Sequence, residues 1–271
     1  MSMREETVRE GDWELPLLWS TLIAAPFTHA FSTRAGGVSA PPFGTLNLGG
    51  RWGDAAGNVE ENRRRLLRSA GAPVPLYVAR QVHGVAVTRV RAGDDQLVVA
   101  GLEADALMTG DAGVTLGVFV ADCIPAILVD PRTGAIAAAH AGWRGTVAGV
   151  LPAVVRALGG AFGARPADLR VALGPAIGPC CFEVGAEVVR EFEGALGGAV
   201  DGVVLPSPRG APGKWHVDLK AANRRLLERA GVPPEAVDAG PECTCHEGAR
   251  FFSYRRDRDR TGQQMGVVAR L

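Results

Sequence analysis

Apolar and polar positions along this chain fall into short blocks whose period changes several times. Thr28–Thr33 reads as a short strand that gives way to the turn Arg34-Ala35-Gly36-Gly37. Over Asn58–Ala70 charge gathers on one face, Leu66 and Leu67 fall on the other, and Gly71 follows, so a helix with a glycine stop is predicted. Leu76–Val82 and Val85–Val90 read as a strand pair, with His83-Gly84 at the turn between them. Val114–Val120 is an almost unbroken apolar run, the pattern of a strand buried on both faces. Asp122-Cys123 interrupts it and Ile124–Val129 resumes it. Asp130-Pro131-Arg132-Thr133-Gly134 is a turn by composition, after which Ala135–Ala139 returns as a strand of small residues that delivers His140.

Beyond the turn Gly142-Trp143-Arg144-Gly145, a helix is expected from near Thr146 to Leu158, with Pro152 as its kink. Leu169–Leu173 reads as a strand and Gly174–Pro179 as a rigid loop. Ala186–Phe192 and Leu219–Ala230 read as helices, the second capped by Asp218. The Pro/Gly-rich stretch Leu205–Gly213 has the composition of a surface loop, and no internal repeat or low-complexity linker is present. Strands and helices mix without a regular βαβ alternation. That pattern predicts an α+β or mixed-sheet fold of the broad α/β kind, not a doubly wound sheet.

Composition narrows the function classes. The chain has 271 residues, 47% of them hydrophobic and 21% charged, which suits a globular protein with a substantial core. Its 29 basic and 29 acidic side chains cancel, so no bulk field favours nucleic acid or an anionic membrane. Lys214 and Lys220 are the only lysines; the remaining positive charge is arginine, which binds phosphate or carboxylate as a bidentate fork. Met1–Glu14 is charged and has no apolar signal core, and no run is long enough to span a bilayer. The expected compartment is therefore the cytoplasm, with the five cysteines reduced.

Three motifs each carry one side chain suited to a metal: Gln-Val-His-Gly with His83, Ala-Asp-Cys-Ile-Pro with Cys123, and Ala-His-Ala-Gly-Trp-Arg-Gly with His140. Each ends an apolar run where the chain turns. Cys123 lies seven residues before Asp130 and His140 six after Gly134, so pairing across that hairpin brings them close. Two imidazoles and a thiolate are three zinc ligands, and three protein ligands with one open position is the arrangement of a catalytic zinc. Singly, each residue reads equally as a structural histidine or a small buried hydrophobe. Asp122 is a candidate to orient an imidazole from behind, or simply stabilises its turn. Arg144, in a Gly-rich turn that opens a helix, is a candidate anion contact. His29 and His216 read as structural. Cys243-Thr244-Cys245-His246 holds three soft ligands within four residues, but so close a run cannot surround an ion without help from elsewhere, and it reads as an ordinary loop.

Taken in order, the segments that begin at His29 (His-Ala-Phe-Ser-Thr-Arg), Leu46 (Leu-Asn-Leu-Gly), Gln81 (Gln-Val-His-Gly), Ala104 (Ala-Asp-Ala-Leu-Met-Thr), Ala121 (Ala-Asp-Cys-Ile-Pro), His140 (His-Ala-Gly-Trp-Arg-Gly-Thr), Gly174 (Gly-Pro-Ala-Ile-Gly-Pro-Cys-Cys-Phe-Glu-Val) and Phe251 (Phe-Phe-Ser-Tyr-Arg-Arg-Asp) resemble the YfiH-like laccase-domain family. Its members are also called purine nucleoside phosphorylases or multicopper polyphenol oxidases. The resemblance runs from Thr28 to the C-terminus. It implies an N-terminal extension and first strand over 1–27, then one catalytic domain over 28–271 built as a layered mixed β-sandwich flanked by helices. It implies zinc on His83, Cys123 and His140. It also implies phosphorolysis of adenosine, inosine, guanosine and methylthioadenosine, and deamination of adenosine. Some members are linked instead to editing of peptidoglycan precursors, removing a wrong amino acid from a nucleotide-linked muramic acid. One departure is Gln263, where the family usually has arginine.

Zinc able to activate water suits deamination, although the His-x-Glu motif of other zinc deaminases is absent. The general acid/base is open between Asp122 and Glu183. For phosphorolysis, Arg144 and Arg63 are the expected anion contacts and Asn47 a polar contact to substrate. Five histidines are too few for a multicopper centre; one cysteine with two histidines could form a single copper site, especially with a nearby methionine, and Met108 is the one near these motifs. The rivals are a metal-free cysteine hydrolase with Cys123 as nucleophile and a zinc-stabilised binding protein without catalysis. The expected partners are purine nucleosides and phosphate, with no nucleic acid or membrane, and the chain is expected to be a monomer.

Overall fold

The structure is a computed structural model that describes residues 3–207 and 210–271. Its frame is two six-stranded sheets. The first contains β1 (Arg4–Glu10), β2 (Trp13–Trp19), β3 (Phe27–Ser32), β4 (Leu76–Tyr77), β7 (Thr115–Val120) and β15 (Gln264–Arg270), in the order β1-β2-β3-β15-β7-β4. The second contains β5 (Val87–Arg89), β6 (Ala106–Thr109), β8 (Ile124–Val129), β9 (Ile136–Ala141), β10 (Arg170–Leu173) and β14 (Val237–Ala239), in the order β14-β10-β8-β9-β6-β5. A small third sheet of β11 (Glu183–Gly185), β12 (Val204–Pro206) and β13 (Lys214–Val217) lies in the order β11-β13-β12. Seven helices complete the described residues: α1 (Ala56–Ser69), α2 (Gln96–Gly101), α3 (Trp143–Val147), α4 (Val150–Phe162), α5 (Ala186–Ala195), α6 (Leu219–Arg229) and α7 (Tyr254–Asp257). Parallel and antiparallel pairs occur in both large sheets, so the fold is mixed α/β, in accord with the strand and helix pattern of the sequence. No helix among the described residues is long and apolar enough to cross a membrane.

Alternation along the strands explains the layers. On β8 and β9, Ile127, Val129, Ile136 and Ala138 point toward the first sheet and pack with its Phe31, Leu116, Val118 and Val268. The opposite set, Ala126, Leu128, Ala137 and Ala139, faces Val150, Leu151, Val154 and Leu158 of α4 and Leu227 of α6. Alanines in β9 let the helices approach closely. On the outer face of the first sheet, Leu15, Leu17 and Val267 meet Leu66 of α1. Fully burying one such large side chain contributes about 1.5–3 kcal/mol.

Three expectations need correction. Leu76–Val82 and Val85–Val90 do not pair with each other. Leu76 and Tyr77 join β7 in the first sheet, while Val87–Arg89 joins β6 in the second, both in parallel. The turn at His83 is therefore a crossover between sheets, not a hairpin. The expected helix from Thr146 to Leu158 is two helices, and the break falls at Gly149, whose φ is 83°, not at Pro152. Pro152 sits in the first turn of α4, where backbone N–H groups have no helical partner to lose. Before Phe27, β1 and β2 form a hairpin that extends the first sheet beside β3. Of the Leu205–Gly213 stretch, Leu205 and Pro206 belong to β12, and residues 208 and 209 lie outside the described residues.

Candidate active site

The strand register sets up the site. Pro125 of β8 faces His140 of β9, and Cys123 precedes β8 by one residue, so the sulfur and the ring come to the same end of the hairpin. The parity that points Ile136 and Ala138 between the sheets also points His140 there. Between β7 and β8 the chain changes sheet through Ala121-Asp122-Cys123, with Asp122 at φ 90°. His83 arrives from the other crossover, at φ 62°. Both are non-glycine residues in the left-handed region, a cost that surrounding contacts must hold in place.

The donor atoms of His83, Cys123 and His140 all lie within 4.8 Å of one another. The two rings meet edge to face with centroids 4.8 Å apart. Gly142 is required where it stands: a Cβ there would lie 2.9 Å from Cys123 Sγ and 3.0 Å from His83 Cδ2.

The residue that organises this cluster is Asp105, which the motif reading did not single out. It is fully buried, and its Oδ1 lies 2.8 Å from Nδ1 of His140. The same carboxylate accepts the backbone N–H groups of His83 at 2.9 Å, Gly84 at 2.6 Å and Val82 at 3.2 Å. One carboxylate thus fixes the ring of one donor and the turn of another. Holding Nδ1 leaves Nε2 of His140 for the cluster, the arrangement by which carboxylates orient metal-binding histidines. Burial works to raise the Asp105 carboxyl, but His140 and the N–H groups of Gly84 and Val82 hold it below the usual range. Burial likewise works to raise the Cys123 thiol; the adjoining His140 and His83 rings outweigh it and bring the thiol down to about 6. Burial opposes the charge on His140, yet the Cys123 sulfur and Asp105 together lift it to about 9.

Asp122 is not the orienting carboxylate expected of it. Its Oδ1 accepts the Thr244 hydroxyl at 2.6 Å and its Oδ2 the Arg255 N–H at 2.6 Å, which ties the crossover to α7. Glu183 stands 3.8 Å from His216 and does not line the cleft. His29 and His216 are both buried, and Nδ1 of His216 faces the Pro179 carbonyl. Met108 packs in the helix-facing core and does not line the cleft, so it offers a copper no axial ligand from the cleft wall.

The cluster stands at the floor of a cleft of about 610 Å³, within the range of small-molecule sites. Trp52 and Tyr254 stack at 5.9 Å on its wall, and Phe119, Trp143 and Phe182 add further aromatic surface. Arg51, Arg80, Arg255 and Arg258 also line it. Arg80 is paired with Glu103, and the Arg255 guanidinium donates to the carbonyls of Cys181 and Glu183. Arg51 and Arg258 have no carboxylate partner among the described residues; each lies against an aromatic ring, Trp52 and Tyr254 respectively.

The other expected substrate contacts sit behind the wall. Asn47 is buried and engaged: it donates to Gly49 O and Asp54, and accepts the N–H of Gly49 and of Gln263. It braces two wall residues and does not itself line the cleft. Arg63 donates to Leu48 O and lies 4.9 Å from the ring centre of Phe119, so it supports an aromatic wall residue from behind. Arg144 is exposed, lies over Trp143 at 4.3 Å and does not line the cleft; α3 turns it outward. Gln263 does line the cleft, against Gly49, where any Cβ would meet its Oε1 at 2.1 Å.

Two packed mixed sheets that open at one end onto a His–Cys–His cluster define an α/β protein of the laccase-domain kind. The chain belongs to the family described as multi-copper polyphenol oxidoreductase laccase, whose model matches residues 28–271. It is 38% identical over 261 residues to the purine nucleoside phosphorylase YlmD of Geobacillus stearothermophilus, covering 93% of this chain and 94% of that one. It is 44% identical over 258 residues to a purine nucleoside phosphorylase of Pseudomonas aeruginosa, covering 95% and 96%. The crystal structure of the Geobacillus YlmD superposes with a TM-score of 0.85 at 34% identity, over 97% of this chain and 98% of that one. That of the hypothetical protein YfiH from Bacillus licheniformis gives 0.86 at 31% identity, over 94% and 96%.

Proposed function

We propose that the cleft is the active site of a zinc-dependent purine nucleoside phosphorylase that acts on adenosine, inosine, guanosine and methylthioadenosine and also deaminates adenosine. The observation that carries this reading is the convergence of two imidazoles and a thiol, held by Asp105, on the floor of a cleft walled by stacked aromatics and unpaired guanidinium groups. Relatives named purine nucleoside phosphorylase align over nearly the whole chain.

The donor set fits zinc: nitrogen and sulfur atoms, three in number, with a carboxylate behind one imidazole. When bound, zinc supplies Lewis-acid activation of a water or substrate oxygen. The rest falls to the chain. Asp105 fixes His140 with Nε2 facing the cluster and holds the His83 turn. Trp52, Tyr254 and Phe119 offer faces to a purine base. Arg51 and Arg258 offer charge to phosphate, whose oxygen attacks C1′ as the bond to the purine nitrogen breaks. Gly142 keeps space open beside the Cys123 sulfur.

A second reading has its own observation. Asp105, His140 and Cys123 follow one another as a carboxylate, an imidazole and a thiol, and the thiol is drawn down to about 6 by the imidazoles despite its burial. That is the order of a cysteine hydrolase. One experiment separates the readings. Adenosine with phosphate should yield adenine and ribose 1-phosphate, and without phosphate some inosine, from zinc-loaded protein. Equal turnover by zinc-free protein transfers the chemistry to Cys123. Absence of both products, with cleavage of a serine-bearing nucleotide-muramic acid, replaces the proposal with precursor editing.

A further inference from the structure

The four-residue run Cys243-Thr244-Cys245-His246 lacks neighbours in sequence that would let it surround an ion, and the fold supplies them. The loop that carries Cys180 and Cys181 lies directly against it: Ala176 bridges Cys243, and Thr244 N–H donates to Ala176 O at 3.1 Å. Ligand atoms of Cys180, Cys181 and His246 fall within 4.8 Å of one another. Cys243, which is buried, lies next to this group without being one of its three ligands. Cys180 and Cys243 both flank Gly178, where a Cβ would lie 3.5 Å from Cys243 Sγ and 3.6 Å from Cys180 Sγ.

Two details make this more than a crowd of thiols. Cys180 Sγ and Cys181 Sγ are 3.7 Å apart. In a tetrahedral site with Zn–S bonds of about 2.3 Å, neighbouring sulfurs stand about 3.8 Å apart. The Cys243 sulfur accepts backbone N–H groups from Gly178 at 3.1 Å and His246 at 3.5 Å. Those two bonds join the loops behind the ligands, since Gly178 belongs to one loop and His246 to the other. Cys180 and His246 are exposed, so an ion has a way in from solvent, while Cys243 is buried beside them.

We propose that Cys180, Cys181 and His246 form a second cation site, separate from the His83–Cys123–His140 cluster, for one thiophilic divalent ion such as zinc. Binding deprotonates the two thiols, forms two metal–sulfur bonds and one metal–nitrogen bond, leaves the remaining position to solvent, and releases the protons to solvent. Its place in the fold gives it a consequence. The first loop carries Ile177 and Phe182 to the cleft wall, and the second carries Thr244, which holds Asp122. An ion between them clamps both loops. The inference does not rest on the catalytic reading, since it shares no ligand with it.

Zinc content of full-length protein, kept reduced, loaded with zinc and freed of excess, tests this. The wild type should hold two zinc ions per chain, Cys123→Ala one, the double variant Cys180→Ser/Cys181→Ser one, and the triple variant none. In the Cys123→Ala background added zinc should raise Tm, and in the triple variant that rise should vanish. His246→Ala, a surface change that leaves the fold intact, should weaken zinc retention in the Cys123→Ala background at least tenfold. A Cys180→Ser/Cys181→Ser protein that holds as much zinc as the wild type overturns the proposal, as does a Cys123→Ala protein that holds none. One zinc in the wild type, kept by Cys123→Ala and lost by the double variant, upholds this site and removes the metal from the proposed active site.

Discussion

Asp105 shows how much of the cleft depends on one side chain. Its single carboxylate anchors the His140 ring and three successive N–H groups at the His83 turn. Asp105→Asn keeps the size and loses the charge and the matched set of acceptors. It should weaken zinc binding at the cluster roughly 10–100-fold with the fold retained, read by chelator competition; an unchanged affinity contradicts the organising role. The unpaired arginines make a second contrast. Arg258→Lys keeps charge but loses the fork and should raise the phosphate KM several-fold, whereas Arg144→Lys, on an outward-facing side chain, should leave it unmoved. If the two respond alike, the anion does not sit beside Tyr254. His29 tests the buried frame. Desolvation lowers its pKa to about 4, and its Nε2 accepts the Ser20 N–H, which requires the neutral ring. The unfolded chain takes up that proton near pH 6.5 and the folded chain only near 4. The contribution is therefore complete above about pH 6.5 and lost as pH falls toward 4, by roughly 3 kcal/mol at most. Urea unfolding at pH 7 and pH 5 should show the loss, and His29→Gln should flatten it.

At the scale of elements, what the sequence disclosed depended on whether the signal was local. Helices α1 and α6 lie within a residue or two of their predicted spans because amphipathic periodicity and end signals sit inside each segment; Asp218 caps α6 by accepting Ala221 N–H. The β8–β9 hairpin was legible for the same reason, since its turn composition and strand lengths are contiguous. Leu76–Val82 and Val85–Val90 were not: both are short apolar runs around a tight turn, and nothing local says that they leave for different sheets. The parallel partners β7 and β6 that claim them are distant in sequence. The helix break was misplaced because proline is the louder signal, while Gly149 at φ 83° is the real discontinuity. Gly149→Ala should accordingly cost about 1 kcal/mol or more in a denaturation midpoint, and Pro152→Ala should change it by less than about half that. The reverse order would put the break at the proline after all.

Seen whole, the molecule is a pair of sheets whose open end collects side chains from two crossovers and one hairpin. The mixed α/β class was readable from the irregular succession of strands and helices. The order of the strands was not, because runs buried on both faces, such as Thr115–Val120, carry no alternation that names a partner. The His83, Cys123 and His140 positions stood out as reactive side chains at turns. Asp105 did not, because a single carboxylate beside an apolar strand looks like any buried turn residue until the cluster is assembled. Asn47, Arg63 and Arg144 were picked by residue type, and type alone does not tell a wall from the brace behind it.

The central claim is that His83, Cys123 and His140 hold the zinc that purine nucleoside turnover depends on. The most direct measurement is adenosine phosphorolysis by wild type and Cys123→Ala, each assayed zinc-stripped and zinc-restored, with the zinc content of the same samples determined. The account predicts adenine and ribose 1-phosphate from restored wild type, little from stripped wild type, and none from Cys123→Ala, which should also hold one zinc fewer per chain. Full activity in stripped wild type, or a Cys123→Ala protein that retains both the metal and the turnover, would contradict it.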